Sequence, residues 1–182
     1  MANIWFTSDL HFGHDKDFIW KARGYESVQD MNEQQVAKFN SKVQPEDTAY
    51  ILGDIMMGDS TISEQYLARL NGQKIIILGN HDTNSRIEIY KKYAEKIVYA
   101  DLLKYKKRTI YLSHFPTVTA NTGDTLGHCT LNFYGHTHQT TDFYEDRYNM
   151  FHVGVDSHDG YPVLIDDALA AIKEKAIEKG EN

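Results

Sequence analysis

Short apolar, β-prone runs recur along the chain, and each stops at a polar residue able to bind a metal ion. Ile4-Trp5-Phe6-Thr7 leads into Ser8-Asp9-Leu10-His11, and Thr48-Ala49-Tyr50-Ile51-Leu52 into Gly53-Asp54. Lys74-Ile75-Ile76-Ile77-Leu78 leads into Gly79-Asn80-His81-Asp82, and Thr109-Ile110-Tyr111-Leu112 into Ser113-His114. Thr130-Leu131-Asn132-Phe133-Tyr134 leads into Gly135-His136-Thr137-His138, and a sixth run, Phe151-His152-Val153-Gly154-Val155, ends at Asp156. Helical spacings lie between these runs. Val36, Phe39 and Val43 predict a helix over about 28–43, stopped by Pro45. A short helix over Ser63 to Leu70 is closed by Asn71-Gly72. The stretch Arg86 to Ile97 reads as a third helix, with Tyr90, Tyr93, Ala94 and Ile97 on one side. Leu169, Ile172 and Ala176 mark a last one, with Asp166 or Asp167 as its N-cap. Strands alternating with helices predict an α/β domain, in which the carboxyl ends of strands gather ligands.

A chain of 182 residues fits one domain with a sizeable core, spanning 1–182. Its 41% hydrophobic and 25% charged residues are those of a soluble globular protein. No apolar run approaches the roughly 20 residues that cross a membrane, and the N-terminus has no secretory pattern. Cys129 stands alone, so no internal disulfide framework is expected, and the default setting is reducing and cytoplasmic. The net charge of −7 disfavours a protein that coats long nucleic acid. It leaves room for a small phosphorylated substrate, because bound cations would reset the local charge.

The polar residues at the strand ends form a coherent ligand inventory: Asp9, His11, Asp54, Asn80, His114, His136 and His138. Imidazole with carboxylate suits Zn, Fe, Mn, Co or Ni. Asp54 carries two oxygens and can bridge two ions, and two ions about 3.5–4 Å apart can clamp both oxygens of an in-line displacement at phosphorus. Asn80 would add a neutral donor. In Asp9-x-His11 and His136-x-His138, alternate residues of an extended segment point to one side. Gly53, Gly79 and Gly135 precede ligands and permit tight turns and close backbone approach.

Taken in order, Asp9-x-His11, Gly53-Asp54, Gly79-Asn80-His81-Asp82, Ser113-His114 and Gly135-His136-Thr137-His138 resemble the calcineurin-like metallophosphoesterase superfamily. The opening Ser8-Asp9-Leu10-His11-Phe12-Gly13-His14 and the late Val153-Gly154-Val155-Asp156 look like its small single-domain bacterial and phage members. The resemblance implies a four-layer α/β/β/α sandwich with two packed mixed β-sheets. It implies a first metal on Asp9, His11 and His138, a second on Asn80, His114 and His136, and Asp54 bridging both beside a shared water or hydroxide. His81 would orient the phosphoryl oxygen and protonate the leaving alkoxide. The cofactor expected is a pair of divalent ions (Mn, Fe, Zn or Ni), with Mn favoured. The partner expected is a small phosphorylated substrate, a nucleotide among them.

Other residues divide between chemistry and structure. His14 and Arg23 are candidates for substrate phosphate, and Asp156 for orienting a ligand histidine. Asp82 could simply brace its turn. His128, His152, His158 and Cys129 read as structural. Lys104-Tyr105-Lys106-Lys107-Arg108 reads as an exposed hairpin or guarded edge strand rather than a nucleic-acid patch. The turn-rich loop 119–127 is the expected selector of substrate. Three readings compete with a phosphoesterase of small substrates: a non-catalytic interaction scaffold on the same fold, a metallohydrolase of another class such as an amidase or lactamase (whose His-x-His-x-Asp-His cluster is absent), and a nuclease acting on nucleic-acid ends.

Overall fold

The computed structural model describes residues 2–120 and 125–180. Positions 121–124 of the loop expected to select substrate lie outside the described residues. Two mixed sheets pack face to face. The first has strand order β4-β3-β2-β1-β9, made of β1 (Ile4–Thr7), β2 (Thr48–Leu52), β3 (Gln73–Ile77), β4 (Ala94–Val98) and β9 (Val163–Leu164). Its first four strands are parallel and β9 is antiparallel. The second has order β5-β6-β7-β8, made of β5 (Ala100–Tyr105), β6 (Arg108–Ser113), β7 (Leu131–Tyr134) and β8 (Met150–His152). Here β5 runs antiparallel to β6, and β6, β7 and β8 are parallel.

Strand alternation divides the core in two. Phe6, Tyr50, Leu52 and Ile77 of the first sheet meet Ile110, Leu112, Leu131, Phe133 and Phe151 of the second. Helix α5 (Ile165–Glu178) adds Ala168, Ile172 and Ala176 to that inter-sheet cluster. On the other face of the first sheet, Ala49, Ile51 and Ile76 pack against α2 (Val28–Lys42), α3 (Ser60–Leu67) and α4 (Asn84–Tyr90), whose Val36, Phe39, Leu67 and Tyr90 are buried there. A four-residue helix, α1 (Asp17–Trp20), precedes α2 and buries none of its residues. Among the described residues no helix is long and apolar enough to cross a membrane.

Side-chain caps fix the starts of two helices. Ser27 caps α2 by accepting from Asp30 N, and Asp59 caps α3 through Thr61 N and Ile62 N. That cap starts α3 three residues before the expected Ser63. Two expectations are corrected. The helix expected over Arg86 to Ile97 stops at Tyr90, and Ala94–Val98 is instead the edge strand β4. Tyr90, Tyr93, Ala94 and Ile97 do face one core, but from two elements. Helix α5 starts from Leu164 with no side-chain cap. Asp166 and Asp167 lie inside its first turn, where they complement the helix dipole.

The 104–108 stretch is the turn of the β5–β6 hairpin, with Lys106 and Lys107 both at positive φ and β5 at the sheet edge. Cys129 and His152 are buried.

Candidate metal centre

The parallel strands of both sheets direct their carboxyl ends to one place. A bridge between Ser8 and Gly154 ties the sheets together there, with Val155 N donating to Ser8 O at 3.2 Å. Beyond β1, β2 and β7 the backbone turns through left-handed residues: Asp9 (φ 58°), His11 (50°), Asp54 (53°), His136 (68°) and His138 (49°). Such conformations are uncommon outside glycine and concentrate at functional sites. Here they turn five candidate ligands toward a common centre.

Two donor sets result. In the first, Asp9 Oδ1 lies 3.9 Å from both His11 Nε2 and His138 Nε2, and the two imidazole nitrogens are 3.2 Å apart. In the second, Asp54 Oδ2 lies 3.3 Å from His114 Nε2, which is 3.0 Å from Asn80 Oδ1, and His136 completes the group. Asp54 Oδ2 is also 3.9 Å from His11 Nε2, so one carboxylate oxygen faces both sets. Asp9 Oδ1 is fully buried and accepts no hydrogen bond. Its partner Oδ2 is held by Ser8 Oγ and by His136 N at 2.9 Å. An orphaned carboxylate oxygen facing two imidazole nitrogens is costly unless a cation sits against it. The donor set fits divalent ions of the borderline class.

A family model described as the calcineurin-like phosphoesterase superfamily domain matches residues 3–159. The chain belongs to that superfamily. An uncharacterized protein, MJ1445, of Methanocaldococcus jannaschii is 27% identical to this phosphoesterase-family chain, over 100% of it and 94% of the relative. The gene 66 protein of Mycobacterium phage D29 is 30% identical over 90% of this chain and 93% of its own length. Among solved structures, the protein of unknown function AQ665 from Aquifex aeolicus shares the fold, with a TM-score of 0.69 and 23% identity over 98% of this chain and 99% of that one.

In this calcineurin-like domain, glycine makes room where strand ends converge. A Cβ on Gly135 would overlap Ser8 Oγ, and one on Gly53, itself at φ 86°, would come within 2.6 Å of Gly79 N and His114 Nδ1. Asp82 is the brace of the Gly79-Asn80-His81 turn. Its Oδ2 accepts from Gly79 N (2.8 Å) and Asp54 N (3.0 Å), and its Oδ1 accepts from Tyr90 OH (2.6 Å). His114 Nδ1 lies 2.7 Å from Leu52 O, which fixes a tautomer with Nε2 free for a metal.

The electrostatics suit cations at both sets. Burial, then Arg23, drives the His11 imidazole down to about 2, so it is a neutral donor. Burial likewise lowers His136. Burial raises Asp9, against the pull of His114 and His138. Burial also opposes ionisation of Asp54, but the hydrogen bond and charge of His114 and the amide of His81 outweigh it, and its carboxyl falls to about 2. His114 is raised: burial disfavours its cation, but contact with Asp54 and the charges of both aspartates prevail. His138 is raised first by its hydrogen bond to Asp156.

All seven sequence-derived ligands converge, with His81 beside them. Its side chain is 44% exposed and its Nε2 is 3.9 Å from Asp54 Oδ2. His14 stands at the rim, its ring 5.5 Å from that of His11. Arg23, expected to contact substrate phosphate, is engaged by protein groups. Its side chain is 7% exposed, and its guanidinium grips Asp156 bidentately (2.8 and 3.0 Å) while Nη2 donates to Asp9 O at 2.9 Å. Asp156 Oδ2 in turn meets His138 Nδ1 at 2.8 Å. Sequence reading missed Ser8, Gln35 (which donates to Leu10 O at 3.1 Å) and Phe115, whose ring lies 4.6 Å from His136 and 5.1 Å from His114. Adjacency to a motif was the only signal for Ser8 and Phe115.

Proposed function

We propose that this chain is a binuclear metal-dependent phosphoesterase that hydrolyses small phosphodiesters or phosphomonoesters, working as one domain over residues 1–182. The observation that carries the reading is Asp54 Oδ2, which faces His11 of one donor set and His114 of the other. Asp9, His11 and His138 would hold one ion, Asn80, His114 and His136 a second, and Asp54 both. Divalent ions so held, Mn favoured with Fe, Zn and Ni as alternatives, supply Lewis acidity toward phosphoryl oxygen and an acidified water for in-line displacement.

The protein side does the rest. His81, a half-exposed imidazole of the cluster, stands where it can hydrogen-bond a phosphoryl oxygen and pass a proton to the leaving oxygen as the ester P–O bond breaks. Its backbone is pinned on both sides: His81 N donates to Asp54 Oδ1 at 2.9 Å, and His81 O accepts from Arg86 Nη1. His14 at the rim is placed to meet the substrate phosphate. The net charge of −7 favours a small substrate over long nucleic acid, and the single cysteine, Cys129, fits a cytoplasmic setting.

The test is hydrolysis of bis-p-nitrophenyl phosphate and p-nitrophenyl phosphate by metal-stripped protein supplemented with Mn²⁺, Ni²⁺, Zn²⁺ or Fe²⁺. Metal-dependent turnover that disappears in Asp54→Ala and falls at least about 100-fold in His81→Ala supports the reading. The absence of both turnover and bound metal would overturn it in favour of an interaction scaffold.

A further inference from the structure

Two large aromatic side chains beside the centre take no part in any core cluster. Phe18 is 71% exposed on α1, and its ring lies edge-on 5.7 Å from His14, which in turn lies 5.5 Å from His11 of the first donor set. Phe115 is 48% exposed, and its ring contacts are both imidazoles of the second set, His114 and His136. The Phe115 segment is held rather than loose: Phe115 O accepts from Ser113 Oγ at 2.8 Å and Thr117 Oγ1 at 3.0 Å, and Thr117 N donates to Asn132 Oδ1 at 2.8 Å. Leaving a Phe in water forgoes the benefit of its burial. Each donor set therefore has an open aromatic face beside it.

We infer that Phe115 and Phe18 are stacking platforms for the base of a nucleoside whose sugar is esterified to the substrate phosphate, so that the substrates are small nucleoside phosphoesters. The inference rests on the phosphoesterase reading and adds the substrate class. A ring beside the phosphate site can stack any nucleobase without selecting among them, because every base offers a π-face. Discrimination between nucleoside and alkyl esters should therefore exceed discrimination among bases.

The experiment compares thymidine 5′-(p-nitrophenyl phosphate) with methyl p-nitrophenyl phosphate on the metal-loaded full chain. The leaving group is the same, so the ratio of the two kcat/KM values isolates the nucleoside. The wild type should favour the nucleoside ester by about tenfold or more. Phe115→Ala or Phe18→Ala should collapse that ratio chiefly through the nucleoside ester's KM, and Phe115→Trp should retain it. Binding of thymidine 5′-monophosphate against inorganic phosphate, by calorimetry on the same proteins, should show the same loss. A wild-type ratio near one, or a ratio untouched by both alanine variants, overturns the inference while leaving the phosphoesterase reading intact. No hydrolysis of either ester with any metal overturns both.

Discussion

Asp156→Asn isolates the support of one metal ligand. The carboxylate accepts two guanidinium hydrogen bonds from Arg23 and meets His138 Nδ1 at 2.8 Å, which leaves His138 Nε2 turned toward Asp9 and His11. Asparagine keeps the volume but removes the charge and offers an amide where the imidazole N–H needs an acceptor. Losing such an outer partner of a ligating histidine costs about 10- to 100-fold in metal affinity, or about 1.4–2.8 kcal/mol. The loss should fall on one ion. The second set does not use Asp156: His114 is oriented by Leu52 O, and Asp54 by His81 N. Metal-stripped protein titrated with Mn²⁺ or Zn²⁺ against a chelating indicator should therefore show one weakened step and one unchanged step. The metal-free variant should also lose about 1–3 kcal/mol in urea unfolding, since charge-assisted hydrogen bonds of a nearly buried Arg23 are weakened. Arg23→Met should weaken the same step, and the double variant should be less than additive because both act through His138. Equal weakening of both steps, or of neither, would refute this account of how the first site is held.

Three further outcomes follow from other parts of the molecule. Asp47 is buried and accepts from Asn3 N (2.7 Å), Trp5 Nε1 (3.0 Å) and Gln44 N (3.0 Å), which outweigh burial and lower its carboxyl. Its contribution is thus present above the unfolded carboxyl value of about 3.9 and is lost as pH falls through the lower folded value, so the stability gap between wild type and Asp47→Asn in urea melts should be constant from pH 7 to 5 and close below about pH 4. Gly135→Ala puts a Cβ onto Ser8 Oγ and 2.5 Å from Asp9 Oδ2, and should cost about 1–3 kcal/mol in thermal or urea melts while weakening metal at the first set. Phe39→Ala, in the cluster that α2 shares with the first sheet, should cost about 3–5 kcal/mol with both metal-binding steps unchanged in calorimetry.

The site was more legible in the sequence than the fold around it. Strands β1, β2, β3, β6 and β7 announce themselves because each is an apolar run ended by a ligand, and the ligand set depends only on where those runs stop. The missed strands lack that contrast. Leu102 of β5 is exposed at the sheet edge, and β9 has only two residues. Strand β4 was hidden because Tyr90, Tyr93, Ala94 and Ile97 are spaced as a helix face would be, and one core accepts them from a helix end and from a strand alike. Arg23 shows a different limit. Its partner Asp156 lies 133 positions away, and nothing local to either residue states that they pair. The sequence shows only an isolated arginine after the first motif, whereas the fold supplies it with a carboxylate and two backbone carbonyls.

The left-handed residues were equally invisible, and they explain why strand ends alone do not make the centre. A side chain leaving a strand in regular extended conformation continues to alternate across the sheet, so Asp9 and His11 would point along one face of the first sheet while His136 and His138 pointed along a face of the second. Reversing the backbone at each of these residues, and at Asp54, turns both sets inward across the line where the sheets meet. Strained backbone of this kind costs of the order of 1 kcal/mol per residue, at the low end for Asp and His. Glycine would relieve it at every one of the five positions, yet none of them is glycine, while the neighbours Gly53, Gly79 and Gly135 are. Glycine thus stands where space is short, and a donor side chain stands where the backbone is strained. Cation binding to the folded state alone is a term that would offset the strain at the five donors.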